Sequence, residues 1–138
     1  MTHFAKMTKV YKSLSFYRRQ LFEEAKSYGW PVVRHLLLHY PTDPEAYEQH
    51  KQFLLGEEIL VAPTHNKCFF SWSCAYNKEV YLPAGEWTHL WSQQNYTGPT
   101  NITVHAPLGE PAVFYKSGSA VGQQFLANLN ENGIVIQQ

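Results

Sequence analysis

Trp30–Pro63, WPVVRHLLLHYPTDPEAYEQHKQFLLGEEILVAP, is the stretch from which the fold is read. Val32–Tyr40 carries no polar alternation, the pattern of a strand covered on both faces. Pro41-Thr42-Asp43-Pro44 then makes a turn. Asp43 is placed to cap a helix, and Pro44 takes the first helical position, where its missing N–H does no harm. That helix is predicted over Glu45–Leu55 and is closed by Gly56, after which Glu58–Val61 begins a second buried strand. On this reading neither strand finds cover for both faces within the chain. The sequence therefore predicts a part of something larger.

Working outward toward the N-terminus, Phe4, Met7, Tyr11, Leu14, Tyr17, Leu21, Ala25 and Tyr28 recur at three- and four-residue steps. They form one apolar face of a single amphipathic helix over Phe4–Tyr28. Gly29 is placed to end it, and Pro31 cannot continue it. A helix, a glycine turn and a doubly covered strand together make the αβ half of a repeating β/α unit.

Toward the C-terminus the pattern changes after Pro63. KEVYLP, EWTHLW, NITVHAP and PAVFYKSG follow at close spacing, separated by Ala84-Gly85 and Ser92–Asn95. Ile102 and Val104 alternate with Asn101, Thr103 and His105, as on a half-exposed strand. Short strands with this punctuation describe an antiparallel β-sandwich. The boundary is placed at Gly56, dividing the chain into 1–56 and 57–138. Ala120–Leu129 reads as a terminal helix, and Asn132-Gly133 as a turn into a last strand.

Lys+Arg and Asp+Glu both number 11, so the net charge is zero and no basic run is available to neutralise phosphates. No apolar stretch approaches the roughly 20 residues that span a bilayer. Neither nucleic acid nor membrane is expected as a partner. The first residues, MTHFAKMTKVYKSL, lack the continuous apolar core of a secretory signal. Cys68 and Cys74 are too few for a four-thiolate zinc site or a disulfide framework. They read as two free thiols, with a mutual bond as the alternative. Asn95-Tyr96-Thr97 and Asn101-Ile102-Thr103 match the glycosylation sequon, little above chance among seven eligible asparagines.

PVVRHLLLHY, PEAYEQHKQFLLGEEILVAP, VYLPAGEWTHLW and APLGEPAVFYKSGS closely resemble, in order and spacing, the C-terminal part of glycoside hydrolase family 31. The likeness covers Phe4 to Ser119. That family holds α-glucosidases, α-xylosidases and sulfoquinovosidases, and the His39-Tyr40 ending with PAVFYK leans toward the last. The resemblance implies an α+β fragment: the last helix and strand of a (β/α)8 barrel, followed by an antiparallel β-sandwich. It implies a retaining α-glycosidase whose nucleophile and acid/base aspartates stand upstream of the matched segments. This chain would then supply the barrel end and a supporting sandwich, and be inactive alone. Its carbohydrate substrate and the missing N-terminal part of the barrel are the partners implied, with no cofactor.

The residues offer an independent test. Retaining hydrolysis takes two carboxyl groups about 5 Å apart, yet Asp43 is the only aspartate. Glu23-Glu24 and Glu57-Glu58 are sequence neighbours, which suits a solvated helix face and a strand entrance better than one cleft. No catalytic residue is assigned. His35 and His39 have a metal-ligand spacing for a helix, but on a strand they lie about 13 Å apart, too far for one metal. No metal site is assigned. His35 reads as packed or hydrogen-bonded. His39, near the end of a barrel strand, is the candidate for lining a sugar pocket. Arg34 is expected to pair with a carboxylate from a missing strand.

Trp72, Trp87 and Trp91 with Tyr81 and Tyr96 read either as a sugar-stacking platform or as core packing, and sandwich strands are built from such residues. Trp87 and Trp91 share parity and so one sheet face. The platform supports a rival function, a stand-alone carbohydrate-binding or interaction module. A third reading is a non-catalytic regulator derived from the enzyme. SGSAVG lacks the lysine of a phosphate loop, and no Ser/His/Asp triad can be assembled. Cys68–Tyr76, apolar and uncharged, departs from the family's pattern. It reads either as a strand or hairpin extension or as foreign sequence from a gene-model error or retained intron.

Overall fold

The computed structural model describes residues 2–64 and 76–136. Helices α1 (His3–Ser13) and α2 (Ser15–Tyr28) lead into strand β1 (Val33–Arg34), a 3-10 turn (Leu36–Leu38) and a short helix α3 (Pro44–Tyr47). Strands β2 (Phe53–Leu55), β3 (Ile59–Ala62), β4 (Asn77–His89), β5 (Asn95–His105) and β6 (Ala112–Lys116) follow, then helix α4 (Ala120–Glu131). All six strands join one antiparallel sheet in the order β1-β2-β3-β6-β4-β5. The chain is a small α+β domain with an antiparallel sheet.

Strand alternation builds two cores. Leu54, Leu60, Ala62, Ala112 and Phe114 point to one face, where they meet Leu36, Ala46, Val80, Leu82 and Trp87. Ile59 and Tyr115 point to the other, against Tyr17 and Leu21 of α2 and Phe125 and Leu129 of α4. This is why β3 reads ILVA without polar interruption. The cover comes from within the chain, so the expectation that neither strand could bury both faces is overturned for β3. Gly122 lets α4 settle on β6: a Cβ there would run into the Tyr115 ring.

Three local expectations are corrected. The helix expected over Phe4–Tyr28 is two helices broken at Leu14. At the break the Ser13 carbonyl accepts from Asn128 Nδ2 of α4 at 3.0 Å, and Asn132 Nδ2 reaches Ser13 Oγ. The strand expected over Val32–Tyr40 stops after Arg34. There the His35 imidazole Nδ1 accepts the Leu37 N–H at 3.1 Å and caps the 3-10 turn. The helix expected over Glu45–Leu55 ends at Tyr47, and Phe53–Leu55 is a strand. Leu54 and Leu55 must enter opposite cores, which strand geometry allows. Gly56 closes no helix. At φ +61° it turns β2 into β3.

The remaining expectations hold in part. Gly29 ends α2 in the left-handed conformation (φ 73°). Asp43 caps α3 with Pro44 in its first turn. The β5 residues Asn101, Thr103 and His105 face outward while Val104 is buried. Ala84-Gly85 is a register shift within one continuous strand β4, not a turn between two. Asn132-Gly133 is a turn, with no strand over the described residues after it. SGSAVG caps α4, Ser119 Oγ accepting the Gly122 N–H. Residues 68–75 of the unusual Cys68–Tyr76 stretch, with both cysteines and Trp72, lie outside the described residues. No described helix is long and apolar enough to cross a membrane.

Candidate functional site

His39, the residue expected to line a sugar pocket, lies against Arg34, which is almost wholly buried at the end of β1. Its Nε donates to the Pro31 carbonyl at 2.7 Å, and Nη2 donates to Glu24 Oε2 of α2 at 2.8 Å. Its Nη1 lies 3.0 Å from His39 Nε2. A guanidinium only donates, so His39 Nε2 accepts and its proton sits on Nδ1. The His39 ring stacks on Trp30 at 5.4 Å and 17°, and the Arg34 guanidinium lies 5.2 Å from the same indole. Burial holds the His39 imidazole below its ordinary pKa, and the Arg34 charge pushes the same way.

Arg34 therefore finds its carboxylate in Glu24 of its own chain, which corrects the expectation of a partner on a missing strand. Glu24 is likewise not part of a purely solvated helix face. Glu57, at the β2–β3 turn, is bound to Lys116 at 2.9 Å, which lowers its carboxyl pKa. What this cluster does chemically is neutralise a buried cation and hold α2, the Pro31 loop and the 3-10 turn together.

Asp43 is spent twice. Oδ1 accepts the Glu45 and Ala46 N–H groups at 3.0 and 3.3 Å, and Oδ2 accepts the Tyr81 hydroxyl. The phenol is pushed above its ordinary pKa by burial first and by the Asp43 carboxylate second. Gln52 is a residue sequence reasoning missed. Its amide donates to Tyr81 O at 2.6 Å and accepts from Tyr81 N at 3.0 Å, standing in for a strand backbone. Nothing in a lone glutamine before FLL signals that role.

His35, expected to be packed or hydrogen-bonded, caps the 3-10 turn. Its ring lies 5.9 Å from that of His50, at a hollow of about 460 Å³ that both line. Because Nδ1 accepts a backbone N–H, the neutral ring carries its proton on Nε2, the nitrogen a metal would need. Among the described residues no three His, Cys, Asp or Glu side chains converge as metal ligands. The tryptophans divide. Trp87 is fully buried and donates Nε1–H to Pro83 O, which removes it from any sugar platform. Trp91 packs at the margin of the opposite core. The shared face expected from parity fails because β4 ends at His89, before Trp91, and the two side chains enter opposite cores.

Among the described residues the antiparallel sheet carries α2 and α4 on one face and α3 on the other, and both Asp43 oxygens are committed to the fold. Residues 29–121 match the sequence profile of the glycosyl hydrolase family 31 C-terminal domain, and the chain belongs to that family. It is 43% identical over 122 residues to a sulfoquinovosidase of Agrobacterium fabrum, covering 87% of this chain and 17% of that protein. It is 39% identical over 119 residues to a sulfoquinovosidase of Escherichia coli, covering 86% and 16%. Its fold is similar to that of a family 31 sulfoquinovosidase from E. rectale solved with the aza-sugar inhibitor IFGSQ. There the TM-score is 0.83 and the identity 34%, over 94% of this chain and 18% of that one. The chain thus spans about a sixth of the length of these relatives.

Proposed function

We propose that this chain is the C-terminal portion of a retaining α-glycosidase and does not hydrolyse glycosides alone. On this reading residues 1–56 form the end of the catalytic barrel, and residues 57–138 form the β-sandwich that buttresses it. The substrate of the complete enzyme is an α-sulfoquinovoside, with an α-glucoside second. The similarity to the two sulfoquinovosidases supports that order. Half-buried His39, neutral beside Arg34, is the residue of this chain proposed to line the sugar pocket.

One observation carries the claim of inactivity. The only aspartate has both oxygens committed to the fold, one to the α3 cap and one to Tyr81. Retaining hydrolysis needs two carboxyl groups about 5 Å apart across the anomeric centre. The test assays the purified chain on aryl α-glucoside and aryl α-sulfoquinovoside. The expected result is background rate, with activity recovered when a family barrel lacking this region is supplied in trans. Turnover by the chain alone that survives Asp43→Asn overturns the reading.

A further inference from the structure

Four distant segments converge on a hollow of about 410 Å³ beside Trp91. Lys6 comes from α1, Trp91 from the β4–β5 turn, Glu110 from the loop before β6, and Ile134–Ile136 from the segment after α4. The volume falls within the roughly 300–1,000 Å³ typical of small-molecule sites. Neither the family likeness nor the Asp43 argument accounts for it.

Its parts are pre-set. Trp91 Nε1 donates to Pro111 O at 2.7 Å, which fixes the indole, and the Lys6 ammonium sits 4.7 Å from the ring centre. The same ammonium contacts Glu110 Oε1 at 2.7 Å. The pair is closed and its charges cancel. An ionic ligand would have to break it, whereas a neutral polyol can keep it, donating hydroxyls to Glu110 and accepting from Lys6. Trp91, Ile134, Val135 and Ile136 supply an apolar wall for the C–H face of a ring. We propose that this hollow is a saccharide-binding site that takes a neutral pyranose unit. It stands on this geometry and does not need the chain to be part of an enzyme.

The experiment follows the Trp91 indole N–H by NMR in the full chain, its signal assigned by loss in Trp91→Phe. Isomaltotriose and maltotriose are the probes, with glycerol as control. The expected result is a saturable shift of that one signal with either trisaccharide and none with glycerol. Glu110→Gln is expected to weaken binding roughly tenfold, the equivalent of one lost charge-assisted hydrogen bond. The pair is partly exposed at the surface, so Glu110→Gln is expected to fold. His50→Ala, on a different surface, is expected to bind as the parent does. No saturable shift, a shift equalled by glycerol, or binding unchanged in Glu110→Gln overturns the proposal. Because no hydrolysis is read, failure here leaves the test of the proposed function untouched.

Discussion

Tyr17 holds the turn that Gly56 makes possible. The buried phenol of α2 donates to Leu55 O at 3.1 Å and accepts the Glu57 and Glu58 N–H groups, each at 3.2 Å. One hydroxyl thus satisfies three backbone groups of a tight turn. A Cβ on Gly56 would collide with that hydroxyl and with Leu21. Burial pushes the phenol pKa up to about 12, so it stays protonated and able to donate.

Gly56→Ala should therefore cost more than the usual strain of a left-handed alanine. A loss of about 2–4 kcal/mol is expected, combining positive φ with overpacking. Tyr17→Phe should cost about 2–3 kcal/mol through the unpaired turn groups. The two should not add: once the hydroxyl is gone, Gly56→Ala should become milder. Urea titrations of both singles and the double variant check this, and strict additivity would refute the contact.

Glu24→Ala leaves the buried Arg34 guanidinium without its carboxylate. Breaking a buried pair costs about 3–5 kcal/mol, and Glu24 is a third exposed, so a loss of about 2–3 kcal/mol is expected. Glu23→Ala, on the exposed neighbour, should stay within about 0.5 kcal/mol. Thermal melts of the two variants side by side make the comparison. Equal stabilities would show that Glu24 holds nothing.

Asp43→Ala should lose about 1–2 kcal/mol from the α3 cap. Asp43→Asn keeps an oxygen for the cap and should fall less far. Tyr81→Phe should reduce the difference between parent and Asp43→Asn, since the hydroxyl is the partner of Oδ2. Equilibrium unfolding of the three variants and the double decides it.

His89 gives the domain an acid-sensitive point. Its Nδ1 accepts the Ser92 N–H at 3.4 Å and lies 2.8 Å from Ser92 Oγ, while Nε2 is buried with no partner among the described residues. Burial lowers its pKa below 6.5, opposed by the Glu110 charge. A histidine with a depressed folded pKa binds protons more readily when unfolded. Its contribution to stability is full above 6.5 and falls as the pH drops toward and through the folded value. His89→Gln should flatten the loss of stability as the pH falls below about 6.5. Melting temperatures across that range test it, and an unchanged slope would count against His89.

Short-range chemistry was the legible part. Asp43-Pro44, Gly29, the alternation of Asn101 to His105 and the helix from Ala120 all carry their cause within a few residues, and each was read correctly. The antiparallel arrangement followed from the same spacing of short strands and turns. Leu36–Leu38 and Phe53–Leu55 escape sequence reading because an unbroken apolar run satisfies helix, strand and turn equally. The partner of Arg34 is hidden in the sequence because Glu24 lies ten residues back, in a helix whose placement no local pattern reveals. Gln52 and Trp91 owe their roles to contacts across 29 and 20 residues.

From its residues alone the chain announced an α+β construction, a single aspartate committed to capping, and kinship with the last part of family 31. The capping is local, because caps, glycine conformations and alternation depend on neighbours in sequence, and the kinship rests on the order and spacing of whole segments. Which apolar run became a strand, which carboxylate reached Arg34 and which tryptophan was fully buried were settled by packing. Burial is a property of the assembled sheet, and free energy is gained only when distant segments leave water together.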